Sequence, residues 1–195
     1  MEARYRSFRG CNLLGVRSAS PAVSGPAGWA PLIAVAGASA PTEYQVTAAF
    51  KVGQVLAERG MPLICGGLGG VMDAAARGVA NVSGGITIGL LPGMDILASS
   101  PHVTVPLATG LGEIRNAVLA RASRAMIAIG GGYGTLTEIA FALRLHRPLA
   151  LIDSWEFNHA SMAADAPLLF MTSRRDDPLE NAIAAVDWIS AQLGL

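Results

Sequence analysis

The sequence has few charged residues and no long apolar run. Lys, Arg, Asp and Glu make up 14% of the 195 residues, against about 25% in an ordinary soluble domain, while hydrophobic residues make up 52%. This apolar fraction excludes disorder for most of the chain, and no stretch approaches the roughly 20 apolar residues that span a bilayer. We therefore expect a packed domain whose apolar excess lies in its core or between the subunits of a homodimer or larger homo-oligomer.

The chain also lacks a net charge, because 14 basic residues are balanced by 14 acidic ones. A general nucleic-acid binder needs a positive surface, so we do not expect a nucleic-acid partner. Because no apolar stretch is long enough to span a bilayer, we expect no membrane partner either. Cysteine is scarce: Cys11 and Cys65 do not make a disulfide framework and are expected to be free thiols in a reducing compartment such as the cytoplasm. The three histidines have no metal-ligand spacing, so no metal is expected.

Residues 1–30 differ in composition from the rest of the chain. Four arginines stand there against one acid, among Ser, Pro, Gly and Ala, with no continuous apolar segment. This excludes a secretory signal, whereas an Arg- and Ser-rich leader is typical of an organelle transit peptide and also fits a loose extension. We expect a loose extension over residues 1–30 and a single domain over residues 31–195.

Short apolar runs alternate with helical patterns from residue 32 onward. The runs are Leu32–Ala36, Leu63–Cys65, Ile86–Leu91, His102–Val105, Met126–Ile129 and Leu149–Ile152, with Leu168–Met171 a weaker candidate. Such runs are typical of buried parallel strands. Their alternation with helices predicts an α/β fold, a doubly wound, Rossmann-like parallel sheet with right-handed crossovers. Ligands bind such sheets beyond the carboxyl ends of the strands, so the following loops carry the candidate functional residues.

Two helices are marked by their ends. Thr42-Glu43-Tyr44-Gln45 is a capping box, and Gly60 is the matching stop signal. Asp177-Pro178 opens the last helix with proline at the first helical position. We expect its apolar residues Ile183, Val186, Ile189 and Leu193 to form a buried stripe.

Two glycine-rich loops each lie between a predicted strand and a helix. Such a loop leaves backbone N–H groups unpaired at the start of a helix, where the helix dipole adds to their attraction for phosphate. Tight packing of strand against helix explains a single such loop equally well, but two loops at one sheet edge are more specific. The candidate phosphate-binding residues are Gly66, Gly67, Gly69 and Gly70 in the first loop, and Gly131, Gly132, Tyr133, Gly134 and Thr135 in the second.

Neither loop matches a known cofactor signature. No Gly-Lys-Ser/Thr follows either loop, which excludes a Walker A motif, and GxGxxG does not follow the first strand. We therefore expect no bound dinucleotide and no resident cofactor. The partner indicated is a phosphorylated small molecule, such as a mononucleotide.

Three polar residues near the second loop are candidates for chemistry or binding. Glu138 follows the loop and could activate water or stabilise a developing cation, although Thr135-Leu136-Thr137-Glu138 is also a capping box. Arg115, at the start of the preceding helix, could bind phosphate with two hydrogen bonds or could be a solvated helix residue. Asn116, next to it, is included as a ligand contact.

Together these motifs resemble the Lonely Guy (LOG) family, often labelled "lysine decarboxylase-like". The family's hallmark PGGxGTxxE is matched by residues 130–138, with Gly130 in place of proline. The similarity covers roughly residues 32–190 and places the family's catalytic arginine at Arg115. Because of Gly130, and of Asn116 after Arg115, the chain is identified as a member of a sister branch that resembles both LOG proteins and molybdenum-cofactor carrier proteins.

The resemblance implies a LOG-type three-layer fold, a dimer, and hydrolysis of the N-glycosidic bond of a nucleoside 5′-monophosphate, with Glu138 and Arg115 as catalytic residues. A second interpretation is a carrier or sensor of molybdenum cofactor or nucleotide without turnover. A third, a nucleic-acid-processing protein, is disfavoured by the neutral charge. Lysine decarboxylation by pyridoxal phosphate is excluded, because the only lysine, Lys51, falls on the polar face of a helix rather than at a buried Schiff-base position.

Overall fold

A computed structural model describes residues 30–156, 169–172 and 176–195. Its centre is a seven-stranded sheet in which every neighbouring pair of strands is parallel. The strands are β1 (Ile33–Gly37), β2 (Leu63–Cys65), β3 (Thr87–Leu91), β4 (Val105–Ala108), β5 (Ala125–Ile129), β6 (Leu149–Ile152) and β7 (Leu169–Thr172). The predicted α/β class and parallel sheet are confirmed.

Helices cover both faces of the sheet. They are α1 (Glu43–Glu58), α2 (Val71–Ala80), α3 (Arg115–Ala122), α4 (Tyr133–Arg144) and α5 (Pro178–Leu193). Helix α1 packs against α2 and α5 on one face, and α3 packs against α4 on the other. Alternate residues of β1 enter the two cores, Ile33 and Val35 on the α1 side and Ala34 and Ala36 on the α4 side, because successive side chains of a strand point to opposite faces.

The spatial order of the strands is β4-β3-β2-β1-β5-β6-β7. The order of winding reverses between β1 and β5, and all strands end at the same edge because they are parallel. A doubly wound sheet opens a crevice at such a reversal point, beyond the carboxyl ends of its strands. The loops after β1, β2, β5 and β6 therefore lie around the place where this fold binds ligands.

Some predicted boundaries moved. The fourth strand, expected at His102–Val105, is Val105–Ala108 instead. The chain before it turns back to contact the first glycine loop, where Ser100 N donates to Gly67 O (2.9 Å), so this stretch cannot extend the strand. Pro106 is tolerated in β4 because the strand lies at the sheet edge.

In α5, Ile183 is 38% exposed rather than part of the buried stripe.

Both predicted helix starts are confirmed. Thr42 Oγ1 accepts from Gln45 N, and the Gln45 side chain accepts from Thr42 N, which completes the capping box of α1. Asp177 accepts from the first turn of α5, where Pro178 is the first helical residue. Among the described helices none is long and apolar enough to cross a membrane. Residues 1–29 lie outside the described residues, so the loose extension and the single domain boundary stay predictions.

Two glycines let α1 and α2 cross at very short range. A Cβ at Gly53 would overlap the carbonyl oxygen of Ala75, and a Cβ at Gly78 would overlap that of Phe50. Each helix therefore presents a glycine to the backbone of the other. The crossing places α2, and with it the loop that precedes α2, close to the sheet.

We expect Gly53→Ala to destabilise the fold, although alanine by itself favours a helix over glycine by about 1 kcal/mol. The new methyl group meets backbone that cannot move without separating the helices. The free energy of unfolding should therefore fall by about 1–3 kcal/mol. Urea unfolding measures it, with Lys51→Ala on the polar face of α1 as control. Equal stability of Gly53→Ala and the parent protein would show that the crossing is not tight.

Candidate functional site

The first glycine loop follows β2 and is held by the chain before β4. Gly67 O accepts from Ser100 N (2.9 Å) and from Ser99 Oγ (3.4 Å), and Gly67 N points to the sulfur of Cys65 (3.4 Å). Burial raises the pKa of the Cys65 thiol to about 11, so this free cysteine is a neutral thiol that supports the loop. It is not a nucleophile at neutral pH.

A cluster around Asp73 fixes the same segment. Ser100 Oγ donates to Asp73 Oδ1 (2.6 Å), and His102 Nδ1 lies 3.0 Å from the same oxygen. Arg77 Nε lies 3.4 Å from Asp73 Oδ2. Burial by itself raises the pKa of Asp73, but the hydrogen bonds from Ser100 and His102 and the electrostatic effects of His102 and Arg77 outweigh it and lower the pKa. The carboxylate is thus ionised and joins the start of α2 to the chain before β4.

Arg115 connects the ends of two neighbouring strands. It is the first residue of α3, and its Nη1 donates to Gly66 O (2.7 Å) and to Leu90 O (2.6 Å). A Cβ at position 66 would overlap this guanidinium, so glycine is needed there to admit it. The alternative of a solvated helix residue is therefore wrong. The arginine brings a fixed positive charge to the carboxyl edge of β2 and β3.

Glu138 is a buried carboxyl without a hydrogen-bond partner among the described residues. It is 7% exposed and lies near enough to Arg115 and Glu113 for their charges to act on it. Burial raises its pKa to about 7, which the Arg115 cation opposes and the Glu113 anion reinforces. Glu138 can therefore exchange a proton near neutral pH.

The capping alternative for Glu138 is wrong. Helix α4 begins at Tyr133, with Gly132 as its N-cap residue and no side-chain cap. Thr135 thus lies inside the first turn, and Glu138 lies in the second turn, beyond the reach of a capping side chain. No side chain caps the first backbone N–H groups of α4, those of Tyr133 to Thr135. An anion site requires such uncapped N–H groups.

The glycines of the two loops divide into two groups. A Cβ at Gly66, Gly67, Gly70 or Gly131 would overlap or crowd protein atoms, so these glycines serve the packing of the loops. A Cβ at Gly69, Gly132 or Gly134 would meet nothing within 4 Å. At these three positions the backbone is open to another molecule. They are the glycines of the predicted set that a phosphate could approach.

The other predicted contacts have mixed surroundings. Asn116 is buried, and its Nδ2 donates to Thr137 Oγ1 (2.8 Å), which links the start of α3 to α4. Thr135 is buried against Gly131. Tyr133 is 82% exposed, with its ring 6.2 Å from that of Trp155. Asn116 and Thr135 thus have the partners of positioning residues, whereas Tyr133 is accessible to a ligand.

Sequence reasoning missed the residues that follow β6. Asp153, Ser154, Trp155 and Glu156 line a cavity together with Gln45 and the second glycine loop. Their position directly after the predicted strand Leu149–Ile152 was the available signal. In the described part of the chain no three His, Cys, Asp or Glu side chains are grouped so as to hold a metal ion.

We expect Glu138→Gln to change the pH dependence of stability. A carboxyl whose pKa rises from 4.5 to about 7 on folding binds more protons folded than unfolded, so its contribution to stability falls as pH rises through that window. The glutamine variant removes this loss. At pH 8 the free energy of unfolding of Glu138→Gln should exceed that of the parent protein by up to about 3 kcal/mol. Near pH 4 the two free energies of unfolding should be equal.

Urea unfolding at the two pH values measures this difference. Glu58→Gln, at an exposed position of α1, is the control for the loss of one carboxyl. A Glu138→Gln effect of the same size at pH 4 and pH 8 would contradict the raised pKa.

Gly130→Pro, which would restore the LOG hallmark, should destabilise the protein. Gly130 has φ +57°, and its N–H donates to Ile152 O (3.0 Å). Proline holds φ near −65° and has no N–H, so we expect a loss of about 3 kcal/mol or more. Gly132→Ala, at an open position, should leave the Tm nearly unchanged. A Gly130→Pro protein as stable as its parent would show that the loop adopts the proline-compatible conformation.

Comparison with solved structures identifies molybdenum-cofactor proteins as similar in sequence and fold. A molybdenum cofactor binding protein of Rippkaea orientalis is 32% identical, with a TM-score of 0.71 over 83% of this chain and 98% of that one. The molybdenum cofactor carrier protein of Chlamydomonas reinhardtii is 33% identical, with a TM-score of 0.69 over 84% and 99% of the two chains.

LOG proteins match over a shorter region. A probable cytokinin riboside 5′-monophosphate phosphoribohydrolase of Oryza sativa subsp. japonica is 39% identical over 119 residues, which are 56% of this chain and 48% of that protein. The chain thus spans about half the length of this relative. The expected likeness to both LOG and molybdenum-cofactor carrier proteins is confirmed, and with it the Rossmann-like fold. A family model matches residues 30–177, and the chain belongs to the SLOG cluster4 family.

Proposed function

We propose that this protein binds a phosphorylated, nucleotide-like ligand at the carboxyl edge of its sheet and hydrolyses the N-glycosidic bond of a nucleoside 5′-monophosphate. The observation that carries the proposal is the Glu138 carboxyl, nine-tenths buried and without a hydrogen bond among the described residues. Burial disfavours the charged form of this carboxyl and raises its pKa to about 7, and a site that only held an anion would gain nothing from such a group. A reaction that moves protons at neutral pH would use it.

The start of α4 supports binding of the phosphate. Its first-turn N–H groups have no capping side chain, and the backbone at Gly132 and Gly134 is open to a ligand. The helix dipole adds a partial positive charge at this point. Arg115, fixed at the ends of β2 and β3, adds a full positive charge to the same sheet edge.

Glu138 can supply both proton transfers of the hydrolysis. In its protonated form it donates a proton to a ring nitrogen of the base, while the C1′–N bond breaks and its electron pair goes to the base. Water then forms a bond to the positively charged C1′ and gives its proton to the Glu138 carboxylate. The products are free base and ribose 5-phosphate, and Glu138 returns to its initial state. A pKa of about 7 suits a group that donates and accepts within one cycle.

A second candidate is a carrier of molybdenum cofactor or nucleotide without turnover. It is favoured by the solved carrier and binding proteins, which match this chain over nearly their whole length, whereas the LOG relative matches over half of its own. The positive φ at Gly130 also supports it, because the loop before α4 cannot have the backbone of a proline-containing LOG loop. Phosphorylated pterin and nucleotide share the phosphate that the glycine loops would hold.

The assembly state stays a prediction. Exposed large apolar side chains occur on the edge strand β4 and in the segments beside it, at Met94, Ile96, Leu97, Val105, Leu107 and Ile114. They are consistent with the homodimer or larger homo-oligomer expected from composition. The expectation that nucleic acid is not a partner, and the expected cytoplasmic location, also stay predictions.

Incubation with a panel of nucleoside 5′-monophosphates separates the two candidates. The enzyme should release free base and ribose 5-phosphate, detected by chromatography, and Glu138→Gln should lower the rate by about 100-fold or more. Glu58→Gln is the matched control and should keep the parent rate. Undiminished release by Glu138→Gln would refute the assigned role of Glu138. Absence of release with all nucleotides, together with tight retention of molybdenum cofactor, would establish the carrier instead.

A further inference from the structure

A cavity of about 480 Å³ opens beyond the ends of β5 and β6. Its volume is within the usual range for small-molecule sites. Gly130 and Gly131 form one wall, and Trp155, in the loop after β6, forms another. The chain continues from Gly131 through Gly132 into Tyr133, the first residue of α4. The cavity therefore adjoins the proposed phosphate site.

Trp155 is held in place by its surroundings. Its side chain is partly buried and packs against the core between the sheet and helices α3 and α4. The neighbouring Ser154 Oγ donates to Gly130 O (2.6 Å), which ties the loop after β6 to the loop after β5. The indole Nε1 is buried, with no hydrogen-bond partner among the described residues. A ligand in the cavity therefore meets the carbon atoms of the indole rather than its N–H group.

Tyr133 is the movable member of an aromatic pair with Trp155. The centroids of the two rings are 6.2 Å apart and their planes are tilted by 35°, within the range of ordinary aromatic pairs. Packing against Trp155 does not by itself explain this position, because 82% of the tyrosine is exposed and an aromatic side chain gains stability from burial. Exposed side chains change rotamer within nanoseconds, so the Tyr133 ring can turn onto a ligand without disturbing the core.

We propose that Tyr133 and Trp155 bind the planar heterocycle of the ligand by stacking, while the phosphate of the same ligand lies at the start of α4. This inference rests on the proposed function and adds what selects the ligand. Tyr133 links the two parts, because its backbone N–H belongs to the uncapped first turn of α4 and its ring lies beside Trp155. A heterocycle that covers both side chains buries apolar surface on each. A phosphorylated compound without a ring lacks this contribution to binding.

Stacking selects a ligand by the size of its ring rather than by its hydrogen-bonding edge, since every base has a π-face. The two fused rings of a purine or a pterin cover more of the aromatic pair than the single ring of a pyrimidine. Affinity should therefore fall from purine to pyrimidine nucleotides. It should fall further for ribose 5-phosphate, which keeps the phosphate but has no heterocycle.

Calorimetric titration with AMP, GMP, CMP, UMP and ribose 5-phosphate tests the inference. A Glu138→Gln background, compared with the parent protein, keeps the proposed hydrolysis from consuming the ligand. Tyr133→Leu keeps an apolar side chain but removes the ring, so it should lower the affinity for AMP and GMP about tenfold and leave that for ribose 5-phosphate unchanged. Tyr133→Phe keeps a ring and should restore purine binding. Phe141→Leu, an exposed aromatic residue of the same helix, is the matched control.

Tryptophan fluorescence supplies a second readout, which a purely structural role of the aromatic pair would not change. A heterocycle stacked on Trp155 should alter the emission of that indole when AMP or GMP is added. The change should disappear in Trp155→Phe. It should persist in Trp188→Phe, because Trp188 packs against the core on the other face of the sheet.

The outcomes separate the inference from the proposed function. Equal affinities for the four nucleotides and ribose 5-phosphate would overturn the stacking site while leaving phosphate-dependent binding intact. A preference for purine nucleotides that survives undiminished in Tyr133→Leu would overturn the assignment of the ring to this aromatic pair. Binding of none of the five compounds, in either background, would refute both the stacking site and the proposed ligand class. A purine preference that falls in Tyr133→Leu and returns in Tyr133→Phe would support the inference.

Discussion

The bridge from Arg115 to two strand ends is the interaction on which the candidate site depends. One guanidinium nitrogen donates to the carbonyls of Gly66 and Leu90, so the positive charge stays at the sheet edge, with no carboxylate of the described residues paired to it. Glu138 lies near enough for that charge to act on its carboxyl, which has no hydrogen-bond partner in the described part of the chain, and burial raises its pKa to about 7. Had the arginine formed a salt bridge with Glu138, the carboxyl would be ionised at neutral pH and could not donate a proton.

The bridge in turn requires a rigid first loop. The Gly67 carbonyl is held by the chain before β4, and Asp73 joins that chain to α2 through Ser100. The close crossing of α1 and α2 at Gly53 holds α2 itself against the sheet. These contacts form a continuous path from the helix crossing to the Arg115 guanidinium. They explain why most glycines of the first loop pack against protein atoms, whereas the backbone at Gly132 and Gly134 of the second loop is open to a ligand.

Much of the fold and part of the site could be predicted from local patterns. Strands β2 and β6 have the predicted bounds, and each is a short apolar run that begins directly after a proline. The capping box of α1 is also confirmed, because its residues are neighbours in the chain. His102, expected in a strand, instead binds Asp73, and the Glu138 capping box failed because α4 begins earlier than the pattern indicated. The first error arises where a long-range contact overrode a local preference.

The sequence by itself determined the parallel α/β sheet, the two loops that meet at one edge, and the residue types available there. Periodicity, glycine and capping residues act over a few positions, so they can be interpreted without a structure. Tertiary structure decided which glycines face a ligand, that Arg115 binds backbone carbonyls, and that Gln45 orients Asp153 from 108 positions away. Such pairings depend on how distant segments pack. Burial and charge, which set the pKa of Glu138, exist only once that packing is complete.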